Sequence, residues 1–270
     1  MPRDMPLVLI LSGFSFLLGA CVASFLNVVI WRVPRGESIV SPPSHCPKCN
    51  TPIRWWQNIP ILSYLALRGR CAKCREPISP RYLLVETLGG VLFLAAFWRY
   101  GVFAPVMWVW LSLMIVGSFI DYDLQLLPDF VTVGGMVLGV VASLACRVFA
   151  GSSPLPSPLM SLAGLAFGFG LLWLVRFLGT KAFRREAMGM GDVFLMGAIG
   201  ALFGPVAVLV TLMAASFLGS AAGLVLVALS KAKLGRFVAI PFGPYLCAGC
   251  LVWMFWGEEI VRAYLRFIGL

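Results

Sequence analysis

The stretch Val206–Leu229, VAVLVTLMAASFLGSAAGLVLVAL, runs for 24 residues without one charged side chain. A helix needs about 20 apolar residues to cross a hydrocarbon core of about 30 Å, so this run reads as a transmembrane helix. Comparable runs recur along almost the whole chain. The 270 residues are 60% hydrophobic and 12% charged, with a mean hydropathy of +0.94, far above the usage of soluble domains. Period-2 alternation of the barrel type is absent. The sequence therefore predicts an all-α polytopic membrane protein with about eight transmembrane helices, near 7–31, 82–99, 105–122, 129–148, 158–178, 192–205, 206–229 and 241–257. The first run lacks a small-residue cleavage site and is read as a mature helix. The sixth is short and broken by glycine.

Charge orients the bundle. Nine of the 21 Lys and Arg lie between Arg32 and Arg81, so the net charge of +10 marks a loop and points to no nucleic acid. Further basic groups fall at Arg176 to Arg185 and Lys231 to Arg236, whereas the turns near Arg99 and Arg147 carry one each. Positive loops face the cytoplasm, which places these loops inside and both termini outside. The chain divides on this reading into a first helix (1–31), a basic loop domain (32–81) and a membrane domain (82–270).

That loop holds Cys46-Pro-Lys-Cys49 and Cys71-Ala-Lys-Cys74, two CxxC pairs separated by 21 residues. Each pair makes a tight turn whose sulfurs converge, and two such turns complete a tetrahedral thiolate site. A structural zinc held by Cys46, Cys49, Cys71 and Cys74 is expected, because a reducing compartment disfavours disulfides. His45 is read as a flank. Cys247-Ala-Gly-Cys250 has the same spacing inside an apolar run, where small residues let helices approach; it is assigned no metal, and Cys21 and Cys146 are taken as buried.

The chain has eleven acidic residues. A carboxylate at membrane depth costs about 2.5–3.5 kcal/mol, which makes each a functional candidate. Asp121, Asp123 and Asp129 close the third run and Asp192 opens the sixth, all at one predicted face. Asp129 follows Pro128 and suits a helix start; Asp123 points away from Asp121; Glu86 is expected to hold a neighbouring arginine. Asp192 follows Gly189-Met-Gly191, where missing side chains let an extended peptide approach, although a simple capping role for Asp192 also stands here. Phe194 breaks GxGxxG, which excludes dinucleotide binding. Two close carboxyls sharing one proton suit hydrolysis of a peptide bond. A thiol oxidoreductase would need the cysteines on an oxidising side, and a transporter would show inverted repeats, of which none is visible.

The ordered set Ala23-Ser-Phe-Leu-Asn-Val-Val-Ile-Trp-Arg-Val-Pro34, the two CxxC pairs, Asn58-Ile-Pro-Ile-Leu-Ser-Tyr64, Ile78-Ser-Pro-Arg-Tyr82, Ile120-Asp121 with Leu127-Pro-Asp129, Gly189-Met-Gly-Asp192 and Ile240-Pro-Phe-Gly-Pro-Tyr245 resembles the type IV prepilin leader peptidases, GxGD membrane aspartic proteases, in their N-methylating form. The resemblance covers nearly the whole chain. It implies Asp121 and Asp192 as catalytic residues in the bacterial inner membrane, with the active site at the cytoplasmic face and contact with membrane lipid. The implied substrates are type IV prepilins and type II secretion pseudopilins, cut after a glycine and then methylated with S-adenosylmethionine. Asn27 and Arg32, near the cytoplasmic end of the first helix, are the polar residues considered for that cosubstrate. Gln125, where relatives often carry a basic residue, and Ala23, where they often carry glycine, are small departures.

Overall fold

The computed structural model describes residues 5–149, 154–186, 188–229 and 241–269. The basic loop Lys231–Arg236 and Ile240 lie outside them. The elements run α1 (Met5–Arg32), α2 (Leu62–Ala66), α3 (Pro80–Tyr100), α4 (Ala104–Leu124), α5 (Asp129–Phe149), α6 (Pro158–Phe183), α7 (Met190–Phe203), α8 (Pro205–Leu229) and α9 (Gly243–Phe267). Eight of these, all but α2, are the long helices expected from the apolar runs. Five helical stretches among the described residues are long and apolar enough to cross a membrane, and one of them, Pro80–Leu124, contains both α3 and α4. The protein is therefore a multi-pass, all-α membrane protein.

Two compact units divide the chain, Met1–Val116 and Gly117–Leu270. The cysteine loop groups in the first unit with α1, α3 and the start of α4. In the first unit, α1 and α3 touch backbone to backbone, since a Cβ at Gly19 would run into the Gly89 carbonyl and a Cβ at Gly89 into Ala23. Asn27 is buried at this contact and donates from Nδ2 to the Tyr82 carbonyl at 3.5 Å. Farther along, Trp98 Nε1 donates to Ser12 Oγ at 2.9 Å. Gly101, with φ +53°, then turns the chain, and α4 folds back so that Trp108 stacks on Phe93 with ring centroids 5.4 Å apart.

The second unit is built around α7. This helix has 14 residues, and those from Asp192 to Leu202 are buried apart from half-buried Phe194, because neighbours close on it at glycines. A Cβ on Gly164 of α6 would strike the Gly200 carbonyl, one on Gly168 would come within 2.5 Å of the Met196 carbonyl, and one on Gly139 of α5 would sit 2.7 Å from the Ala201 backbone. Ser161 Oγ adds a 2.6 Å hydrogen bond to the Ala201 carbonyl. Gly204, at φ +85°, breaks the helix ahead of Pro205, so α8 starts at once. The α9 helix continues ten residues past the expected end at 257, to Phe267. Its polar half is helical because Arg262 pairs with Glu258 and Glu259 at 3.7 and 3.6 Å, spacings that face each other on a helix. Cys247 and Cys250 are buried as expected, but Cys21 is exposed and Cys146 half-buried.

Replacing Gly164 with Val should overpack the α6–α7 contact at a cost of about 1–3 kcal/mol or more. Gly170, also on α6, has nothing within 4 Å of a Cβ. We expect Gly164→Val to lower the thermal midpoint in detergent by several degrees and Gly170→Ala to leave it unchanged; equal midpoints for the two variants would contradict this packing.

Candidate active site and metal centre

The chain leaves α4 through Gln125, a non-glycine residue at φ +53° whose N–H bonds back to the Asp121 carbonyl at 2.9 Å. That turn folds Leu127 back against the helix it has just left. A Cβ on Gly117 of α4 would lie 3.3 Å from Leu127 Cδ2, one on Gly191 of α7 would lie 2.7 Å from its Cβ, and one on Gly243 of α9 would lie 3.3 Å from its Cδ1. Three helices thus meet one leucine through glycines.

The same contact brings two acids together. Asp121, in the last turn of α4, is 6% exposed, and Asp192, in the first turn of α7, is 8% exposed. Both acids border Leu127: Gly243, which stands against Asp121, and Gly191, the residue before Asp192, each pack on it. Asp121 Oδ2 accepts the Gly243 N–H at 3.0 Å, whereas Asp192 Oδ1 is buried with no hydrogen-bond partner among the described residues. Gly189, with φ −66° and ψ 149°, precedes the helix without a side-chain cap. The loop ahead of it is fixed by Arg176, whose Nε donates to the Met188 carbonyl at 3.0 Å and which pairs with Glu186 at 3.4 Å.

The remaining expected residues separate clearly. Asp123 is exposed, and exposed Asp129 sits in the first turn of α5, where its charge favours the helix start. The two glycines before Asp192 differ: Gly191 packs on Leu127, while the nearest atom to a Cβ on Gly189 is Asp192 Oδ2 at 3.8 Å. A Cβ would therefore fit at Gly189 with ordinary contacts and would clash at Gly191. Glu86 is buried and holds no arginine among its described contacts; its Oε2 accepts the Ile61 N–H at 2.8 Å, which secures a β-branched residue at φ +64°, a rare conformation for that side chain. Leu127, Arg176 and Gly243 were not expected at the site, although Leu127 and Gly243 lie inside stretches that carried the resemblance and Arg176 was counted only for its charge.

The cysteine loop folds as two matching turns. Asn50 N–H donates to the Cys46 carbonyl at 2.9 Å and Arg75 N–H to the Cys71 carbonyl at 3.1 Å, with both residues at positive φ. The sulfurs of Cys46, Cys49, Cys71 and Cys74 all lie within 4.8 Å of one another, with Cys46–Cys74 at 3.7 Å and Cys49–Cys71 at 4.0 Å. This four-cysteine cluster has the composition and spacing of a metal site. The Thr51 hydroxyl, 3.2 Å from Cys49 Sγ, and then the Thr51 backbone hold the Cys49 thiol down to about 6. Backbone N–H groups of Cys74 and Lys73 likewise lower Cys71. His45 is exposed outside the cluster, its Nδ1 3.1 Å from the Pro43 carbonyl oxygen.

Arg32 lies beside a second feature of the first unit. Its guanidinium donates to the Ser38 and Pro42 carbonyls, each at 2.8 Å, and forms one wall of a cleft of about 370 Å³ that Ser24, Phe25, Val28, Ser44 and Asn58 also line.

Residues 17–100 match the Bacterial Peptidase A24 N-terminal domain and residues 108–224 match the Type IV leader peptidase family. Similar curated proteins named prepilin leader peptidase/N-methyltransferase come from Pseudomonas putida, 35% identical over 93% of this chain and 93% of the relative, and from Legionella pneumophila, 36% identical over the same shares. One from Myxococcus xanthus is 43% identical over 79% of this chain and 62% of the relative. The chain belongs to the type IV leader peptidase family. No solved structure matches it significantly.

Given this pair of buried acids, Asp121→Asn and Asp192→Asn should each lower leader cleavage by about 10²–10⁴-fold. Asp123→Asn and Asp129→Asn should stay within about two-fold of the parent, since neither is buried at the pair. A gel-shift assay on a prepilin, normalised to folded protein, separates the two classes.

Proposed function

We propose that this chain cleaves the leader of type IV prepilins, and of type II secretion pseudopilins, and then methylates the new N-terminal residue with S-adenosylmethionine. The observation that carries the peptidase half is the meeting of Asp121 and Asp192 on separate helices, with Asp192 Oδ1 buried and unpartnered. Buried polar atoms are nearly always bonded, so an orphan oxygen beside a second carboxyl suits a group that waits for water or a scissile carbonyl. An extended leader would approach along Gly189, where a Cβ meets only ordinary contacts. The basic loop is then cytoplasmic by the distribution of Lys and Arg, with cleavage at the cytoplasmic face of the bacterial inner membrane and lipid against the many exposed apolar side chains of the long helices.

Zinc suits the four-cysteine cluster. Zn–S bonds of about 2.3 Å in a tetrahedron require sulfurs about 3.8 Å apart, and the 3.7 and 4.0 Å pairs fit that edge. Cys46, Cys49, Cys71 and Cys74 would hold the ion, which supplies a cross-link between the two turns and no catalytic step.

For S-adenosylmethionine, Arg32 supports the assignment and Asn27 does not, because Asn27 is buried between α1 and α3. The cleft beside Arg32 is in the size range of small-ligand sites. Phe25 and Val28 offer apolar contact for a purine, and Ser24, Ser44 and Asn58 offer polar groups.

Purified protein incubated with a prepilin and labelled S-adenosylmethionine should yield both leader loss and a labelled N-terminus, with about one zinc per chain by elemental analysis. Ser24→Trp, which fills the cleft, should lower retention of labelled S-adenosylmethionine in equilibrium dialysis by about ten-fold or more while cleavage continues. Undiminished retention removes the cleft from the proposal, and absent leader loss in the parent protein removes the peptidase.

A further inference from the structure

The two carboxyl groups of the pair are held differently, and the difference comes from α9. Gly243 is the first residue of that helix, so its N–H has no acceptor within the helix. It donates instead to Asp121 Oδ2 at 3.0 Å, in a buried hydrogen bond spanning 122 residues of sequence. Helix N-termini favour negative charge, and N–H donors to a carboxylate are among the stronger hydrogen bonds. Asp192 has no such donor at Oδ1, which is buried and unpartnered.

We propose that the Gly243 amide is a third functional group of the peptidase, one that fixes Asp121 as the ionised, water-activating member and leaves the shared proton on Asp192. The proposal rests on the reading of Asp121 and Asp192 as the catalytic pair. The reaction then balances as follows. Asp121 takes a proton from water as the water oxygen bonds to the scissile carbon, and the carbonyl electron pair moves onto oxygen, which receives the Asp192 proton. In the collapse of the resulting diol, Asp121 returns its proton to the departing amine as the C–N bond breaks. One diol hydroxyl gives its proton to Asp192, and the pair ends as it began. Gly243 touches no reacting atom; it acts by holding Asp121.

Glycine is required there for a concrete reason: an added Cβ would stand 2.6 Å from Asp121 Oδ2 and 3.1 Å from its Cγ, forcing the carboxyl off the amide. Gly243→Ala should therefore lower kcat for leader cleavage about 10²-fold, the scale of losing one preorganised donor, with KM for the prepilin within about two-fold of the parent. Leu127 is the other neighbour of that Cβ, at 3.3 Å. The double variant Leu127→Ala with Gly243→Ala relieves that contact and leaves the carboxyl displaced, so its kcat should stay about 10²-fold below Leu127→Ala alone. Recovery to the Leu127→Ala rate, or a raised KM at unchanged kcat, overturns the proposal in favour of a packing role.

A second comparison leaves Gly243 intact. An asparagine at 192 still offers N–H donors to the carbonyl oxygen, whereas one at 121 cannot take a proton. Residual kcat of Asp192→Asn should exceed that of Asp121→Asn by about ten-fold or more. Equal residual rates refute the division of roles while keeping the pair; near-parental rates in both variants refute the pair itself.

Discussion

The placement of the two acids depends on how closely backbones can approach Leu127. The side chain fills the space that Cβ atoms at Gly117, Gly191 and Gly243 would need, so α4, α7 and α9 meet it through bare backbone. In lipid there is no hydrophobic gain from helix association beyond what the tails already provide, and close contact through small residues supplies the packing instead. The approach has a chemical result. It sets Asp121 at the end of α4 near Asp192 at the start of α7, and puts the first amide of α9 on one of them. Each carboxylate is expensive at depth, and the glycine contacts are what keep that cost confined to one polar pocket.

The first unit solves a different problem with similar means. Gly19 and Gly89 bring α1 and α3 together, which fixes both ends of the intervening loop. Within that loop each CxxC turn closes on itself through a residue at positive φ, Asn50 or Arg75. Such residues are unfavourable there without glycine, and their carbonyl partners at Cys46 and Cys71 hold them. Glu86 does the same for Ile61 from within α3. The structural role expected of Glu86 holds with a different partner: its carboxylate clamps a strained turn through a backbone amide in place of an arginine.

Helix number and most boundaries were legible in the sequence, since apolar run length is a local property read directly against bilayer thickness. The cysteine cluster was legible for the same reason: ligand spacing within each turn is short-range. What stayed hidden was set by partners far apart in the chain. The bond from Gly243 to Asp121 and the contacts of Leu127 with three helices leave no periodic trace, and Gly189 and Gly191 look alike in sequence although one has room for a side-chain carbon and the other is closed off by a leucine. The polar continuation of α9 was hidden differently, since hydropathy ends at Gly257 while helix-favouring pairs between Arg262 and the two glutamates carry the backbone on. Asp121 and Asp192 were found because charge in an apolar chain is conspicuous, not because any pattern showed that they meet.

The length of α7 connects fold to chemistry. Its 14 residues cover about 21 Å at 1.5 Å per residue, short of the roughly 30 Å of a hydrocarbon core. The rest of that path is irregular chain through Met188 and Gly189, held by Arg176. That chain comes in from the basic loop Arg176 to Arg185, on the side the charge distribution assigns to the cytoplasm, and the proposed hydrolysis at Asp192 needs such a place, because water and an extended peptide must both reach it. A full-length helix would satisfy its own backbone and leave nowhere for a peptide to lie beside Asp192. Starting the helix late, at a glycine without a side-chain cap, leaves its first N–H groups without helical acceptors beside a carboxyl oxygen unpartnered among the described residues, an edge that the proposed substrate backbone can meet.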